Sequence, residues 1–150
     1  MMEILITVAL LLIIAGFASP WLLCTLQAYR LRVAAWELAG DLRLARQKAV
    51  SLQQDHRICF SGCNAAVPAG GYLFERLDPG TGQWQMETSR DVLPDGATIT
   101  TTAPTGTVTF NSKGELSGAA ATITLTSEVG TYQLTAIPSG RVQVCKGSCS

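Results

Sequence analysis

Hydrophobic and polar positions divide the chain into three stretches. From Ile4 to Tyr29 there is no charged residue. At about 1.5 Å of rise per residue such a helix reaches roughly 39 Å, more than a bilayer core of about 30 Å, so the run is expected to insert in a membrane. Further on, Leu31, Ala35, Leu38, Leu42, Ala45, Ala49 and Leu52 recur at spacings of four and three, which places them on one helical face. The opposite face is expected to carry Arg32, Glu37, Asp41, Arg43 and Lys48. The pattern predicts one long helix from Glu3 to about Asp55, apolar in its first half and amphipathic in its second. Pro20 removes one ladder hydrogen bond and crowds the carbonyl of Gly16, so a kink or local melting is expected around residues 16–20.

Helical periodicity stops near His56. The text then changes to short runs of β-formers separated by glycine, proline and asparagine. Strands are expected at Arg57–Phe60, Tyr72–Leu77, Gln83–Glu87, Thr98–Thr102, Val108–Phe110, Thr122–Thr126, Tyr132–Ile137 and Arg141–Cys145. "DPGTG" between the second and third reads as a hairpin turn. The connections are too short for parallel crossovers, so the sheet is expected to be antiparallel and the fold class α+β.

With 150 residues the chain has room for one membrane helix and one small domain. Eleven basic residues balance eleven acidic ones, but unevenly: six basic and three acidic residues between Arg30 and Arg57 give +3, and five basic and seven acidic from Ile58 onward give −2. A distal domain that is not basic argues against strong nucleic-acid binding. With one histidine, no nucleophile–base spacing and no phosphate loop, no enzyme activity and no cofactor are expected.

"EILITVALLLIIAGFASP" resembles the mature N-terminus of type IV pilins and pseudopilins, in which a glutamate near the start of an apolar helix is followed seventeen residues later by a proline; Glu3 and Pro20 keep that interval. "YRLRVAAWELAGDLRLARQKAV" is similar to the helix that follows in the FimT/GspH family of minor pilins and pseudopilins. "RICFSGC", "TVTFNSKGELSGAAATITLT" and "YQLTAIPSGRVQVC" resemble later parts of the same domain, and roughly two thirds of the chain is matched in order.

The resemblance implies a type IV pilin-like fold, with a long N-terminal membrane-spanning helix packed against an antiparallel β-sheet domain. It divides the chain into residues 1–29 (membrane and filament core), 30–56 (amphipathic half of the helix) and 57–150 (β domain). It implies a structural subunit of a type IV pilus or a type II secretion pseudopilus, single-pass in the inner membrane with its domain in the periplasm. Partners would be other pilins or pseudopilins. Family members carry a short basic leader, whereas only Met1 and Met2 precede Glu3. A start codon placed too far downstream is the expected reason, and an upstream leader would make prepilin peptidase a further partner, with N-methylation after cleavage.

Cys24 lies in the apolar run and reads as a small apolar residue. Leu23 before it does not suit lipidation, and cleavage after Gly16 and Ala18 lacks a basic segment upstream. Cys59/Cys63 and Cys145/Cys149 form two C-x3-C pairs, whose spacing also permits a zinc site. In an oxidising periplasm disulfides are expected instead. Three pairings are open. Local bonds, Cys59–Cys63 and Cys145–Cys149, are expected because each pair adjoins a turn-forming glycine, Gly62 or Gly147.

In a filament the Glu3 carboxylate is expected to meet the N-terminal amine of a neighbouring subunit; that role comes from the resemblance. Some FimT-like proteins contact DNA through a glycine-arginine-any-arginine stretch. Here Gly140 and Arg141 are followed by Val142 and Gln143, so Arg141 with nearby Lys146 would give weak, salt-sensitive contact with DNA. Arg43, Arg46 and Lys48 read as a solvated helix face, and Trp36, Trp84 and Tyr132 as core. His56 is expected at the helix end, satisfying terminal carbonyls.

Overall fold

The computed structural model describes residues 2–61, 63, 65–68, 70–94 and 96–149, with the side chains of 2–5, 9, 11–12, 14–24 and 104 excepted. The side chains of Glu3, Pro20 and Cys24, and the whole of Gly62, thus lie outside the described residues. One helix, α1, runs over Met2–Leu52. It passes through Pro20 with no break in helical structure, so the melting expected around residues 16–20 does not occur. Among the described residues no helix is long and apolar enough to cross a membrane.

Eight strands follow: β1 His56–Cys59, β2 Gly71–Leu77, β3 Trp84–Asp91, β4 Thr98–Thr101, β5 Thr107–Phe110, β6 Ala121–Ser127, β7 Gly130–Ala136 and β8 Val142–Lys146. All ladders are antiparallel. They build two four-stranded sheets rather than one, in the orders β3-β2-β1-β5 and β4-β6-β7-β8. β4 leaves the first sheet to pair with β6, and a short 3-10 turn at Pro104–Gly106 returns the chain to the first sheet as β5. In that turn Gly106 has φ 68 and lies against Ser61, where a Cβ would overlap the Ser61 hydroxyl. Only glycine fits both the backbone and the space.

The helix ends at Leu52, three residues before the expected Asp55. Gln53 takes a left-handed φ of 53, and the Gln54 N–H donates to the Ala49 carbonyl, a six-to-one bond that closes the last turn. The Gln53 side-chain amide donates to the Val50 carbonyl. The terminal carbonyls therefore have partners without His56, which belongs to β1, is fully buried, and meets the Gln54 carbonyl through Nδ1 at 2.9 Å.

Both sheets pack on α1 and share one core. From the helix come Leu31, Ala34, Ala35, Leu38, Ala39, Leu42, Ala45 and Ala49; the first sheet adds Ile58, Tyr72, Phe74, Val108 and Phe110, and the second Ile123, Leu125, Leu134, Ala136 and Val142. The five alanines on that face let two sheets approach one helix closely. Leu52, expected on this face, is half exposed because the helix ends there. Asp41, expected on the solvated face, is buried. It accepts a 2.7 Å hydrogen bond from the Tyr72 hydroxyl, and Arg90 Nε lies 3.3 Å from the same oxygen. Burial and the Asp41 carboxylate push the Tyr72 phenol well above its ordinary value of 10.0.

Disulfides join Cys59 to Cys63 at the end of β1 and Cys145 to Cys149 at the end of β8. The second ties the C-terminal residues back to β8, and the Cys149 N–H donates to the Gln133 side chain on β7.

Candidate functional site

The outward face of α1 is apolar rather than charged. Leu26, Tyr29, Val33, Trp36 and Leu44 are between 39% and 63% exposed and recur three, four or eight residues apart. At 3.6 residues per turn they lie roughly half a turn from Leu31, Leu38 and Ala45. Gly40 stands among them, and a Cβ there would meet nothing within 4 Å. The stripe begins inside the charge-free run and continues past its end, so α1 carries two apolar faces, of which the two sheets cover only one. The polar residues flank the outward stripe: Arg32, Arg43 and Arg46 on one side, Glu37, Asp41 and Lys48 on the other. Trp36, expected in the core, is 51% exposed on this stripe. Trp84 and Tyr132 are half-buried, and the Arg57 guanidinium stacks over Trp84 at 4.1 Å.

The basic residues of the helix part company accordingly. Lys48 turns to the first sheet, where its ammonium lies 2.6 Å from Glu87 and 4.9 Å above the Phe74 ring. His56 Nε2 is 3.8 Å from the other Glu87 oxygen and has no hydrogen-bond partner among the described residues. Arg46 goes the other way. Its Nε donates to the Gly114 carbonyl at 2.9 Å, and its side chain packs on Gly140. Gly140 has φ 78, and a Cβ there would overlap the Gly114 carbonyl oxygen and crowd the guanidinium. The glycine before Arg141 is thus required by close approach.

That approach forms a groove of about 670 Å³ between α1 and β8. Arg43, Arg46 and Gln47 line the helix side, and Gly140, Arg141 and Gln143 line the strand side. Three arginines face it and no carboxylate does. A smaller groove of about 320 Å³ adjoins it across Val144 and Cys145, lined also by Arg32, Trp36, Tyr132 and Lys146. Arg141 and Lys146 therefore stand at opposite ends of β8 and face different parts of one basic seam, not a single site. The sequence singled out Arg141 and Lys146 but did not join them to Arg32, Arg43 and Arg46. No local pattern carries that join, because the helix and β8 are about a hundred residues apart.

Among the described residues no group of three or more histidine, cysteine or carboxylate side chains is placed to hold a metal ion. Two of the buried polar groups are tied into structure: Asp41 to Tyr72, and Glu75 to Arg57 at 2.6 Å. The exposed carboxylate of Asp78 is held below its ordinary value of 3.8 by the Thr81 hydroxyl and the Gly80 N–H, which stiffen the β2–β3 hairpin.

The architecture has counterparts of known structure. The minor pilin FimU of the type IV system of Pseudomonas aeruginosa is 22% identical with a TM-score of 0.62, over 78% of this chain and 89% of that one. The minor pseudopilin EpsH from the type II secretion system of Vibrio cholerae is 17% identical with a TM-score of 0.59, over 77% of this chain and 95% of that one. At these identities the likeness is one of fold. No curated protein sequence matches the chain significantly. The family model described as type II transport protein GspH matches residues 34–145, from the second half of α1 to the end of β8. The match covers most of the chain, including both sheets and the basic seam, and on that ground the chain belongs to the GspH family.

Proposed function

We propose that this protein is a minor pilin or pseudopilin, a structural subunit of a type IV pilus or a type II secretion pseudopilus. The observation that carries this reading is the second apolar face of α1. An exposed stripe with Leu26, Tyr29, Val33, Trp36 and Leu44 is costly for a lone molecule in water, and it continues a run suited to lipid or to a helical bundle. In this reading the charge-free run Ile4–Tyr29 anchors the subunit in the inner membrane and enters the filament core. There Glu3 meets the amine of a neighbour, and Pro20 marks the membrane half of the helix. The domain from residue 57 onward lies in the periplasm, an environment in which its two disulfides persist. The chain does no chemistry of its own; prepilin peptidase acts on it if a leader lies upstream.

A photo-crosslinker placed at Tyr29 or Val33, in cells that assemble the filament, tests the reading. Adducts with other pilin-like subunits in sheared filaments are expected. Adducts with lipid alone, from a chain that never leaves the membrane, would replace the reading by a signal-anchored periplasmic domain.

The basic seam favours a second reading, in which the same subunit contacts DNA during uptake. Arg141 shares its groove with Arg43 and Arg46, so three cations are available rather than one. Few phosphate contacts give weak binding that salt removes. Titration of duplex DNA onto the full chain in detergent micelles, at low and at physiological salt, should show binding that weakens in Arg141→Ala. Binding indifferent to that substitution would end this reading and leave the structural one untouched.

A further inference from the structure

β8 is the edge strand of its sheet, with β7 on one side and, among the described residues, no strand on the other. At its two ends the Ile137 N–H donates to the Arg141 carbonyl and the Gly147 N–H donates to the Thr131 carbonyl. In an antiparallel ladder every second residue turns its backbone groups to the partner. Residues 141, 143, 145 and 147 therefore serve β7, and the N–H and C=O groups of Val142, Val144 and Lys146 point along the free edge. The register with β7 is unbroken from Val142 to Lys146. The edge thus has neither the bulge nor the proline by which sheets often blunt an open side.

This edge opens into the groove against α1. The strand contributes a row of backbone donors and acceptors, and the opposite wall contributes Arg43 and Arg46. Arg141 and Lys146 stand at the ends of the strand, and Arg32 continues the wall. Among the described residues, every charged side chain that lines these two grooves is positive. A basic strand is repelled there and a neutral one finds backbone partners alone, while an acidic one finds backbone partners on one side and cations on the other. A groove of about 670 Å³, extended by its neighbour, is within the usual range of binding clefts.

We propose that the free edge of β8 and the arginine wall of α1 form a β-addition site for an extended, acidic peptide segment of another protein. The peptide pairs with the edge groups of Val142, Val144 and Lys146, and its acidic side chains meet Arg43, Arg46 and Arg141. Main-chain pairing supplies affinity and the cations supply selection, the division of labour usual for strand addition. A polynucleotide would use the same cations, with Trp36 and Tyr132 available for stacking, but would leave the row of edge backbone groups unpaired. A peptide strand uses both features, which is why the geometry favours it. The site goes beyond the filament reading and does not depend on it.

The test uses the full chain, isotope-labelled, in detergent micelles, with a synthetic peptide of alternating valine and glutamate as the probe. Binding is expected to slow amide hydrogen exchange at Val142, Val144 and Lys146, and to leave Gln143 and Cys145, already bonded to β7, unchanged. A valine–lysine peptide should not bind. Arg43→Glu, at an exposed position outside the core, should weaken the acidic peptide about tenfold while the backbone spectrum shows an intact fold. Absence of binding, binding without protection of the three edge amides, or a preference for a single-stranded oligothymidylate that leaves those amides unprotected would each overturn the proposal.

Discussion

The two apolar faces of α1 are built from the same kinds of residue and meet different surroundings. The inward face pairs alanines with leucines, and both sheets close over it until its members are 2% exposed or less. The outward face sets Tyr29, Val33, Trp36 and Leu44, each between 39% and 63% exposed, around Gly40, where a Cβ would meet nothing within 4 Å. Hydrophobicity therefore does not report what a residue packs against. The inward face accounts for the fold of the chain, and in the proposed filament reading the outward face serves contacts between subunits. The glycine is part of that contrast. In mid-helix it costs roughly 1 kcal/mol relative to alanine, and no contact within the chain requires it.

The contrast breaks first on the inward side. Leu42→Ala removes a fully buried side chain from the centre of the core and is expected to destabilise the domain by about 3 kcal/mol, read from denaturant unfolding. Tyr72→Phe acts on the polar pair beneath the same face. It should cost about 1.5 kcal/mol, because Asp41 loses a buried donor and keeps only Arg90. It should also change the pH profile. The folded phenol is held above its ordinary 10.0, so its contribution is complete below pH 10 and is lost as pH rises past that value, where the unfolded chain ionises first. Thermal unfolding of the parent protein should weaken above pH 10, and the part of that slope due to Tyr72 should vanish in Tyr72→Phe.

The smallest effect sharpens the contrast most. Gly40→Ala should stabilise the isolated chain by roughly 0.5–1 kcal/mol, since a Cβ meets nothing. In the assembled filament the same methyl group should obstruct a close helix–helix approach and lower incorporation. A gain in stability without loss of incorporation would mean that Gly40 has no partner.

The spacing of Leu31, Ala35, Leu38, Leu42, Ala45 and Ala49 located the buried face, and turn residues located all eight strands to within a few positions. These signals are local. The division into two sheets was not legible, because β4 and β5 are adjacent in sequence and pair with strands of different sheets. Helical spacing sets Asp41 outside the stripe of leucines and alanines, and the groups that meet it there, Tyr72 and Arg90, come from far along the chain. Trp36 was placed in the core because aromatic residues usually lie there. Its position relative to Leu31 and Leu38 on a helical wheel already puts it outside, and was the available signal. The basic seam was half legible: Arg141 stood out beside Gly140, while Arg43 and Arg46 joined it only through the packing of α1 on the close pair Gly114 and Gly140.

The measurement that bears most directly on the central claim is incorporation of a double variant, Val33→Glu with Trp36→Glu, into sheared filaments, set beside its thermal unfolding. Both positions are exposed and outside the core, so unfolding should stay close to that of the parent protein. The account predicts a folded subunit that no longer enters the filament, because two carboxylates now interrupt the outward stripe. A variant that folds and is incorporated at the parental level would contradict it.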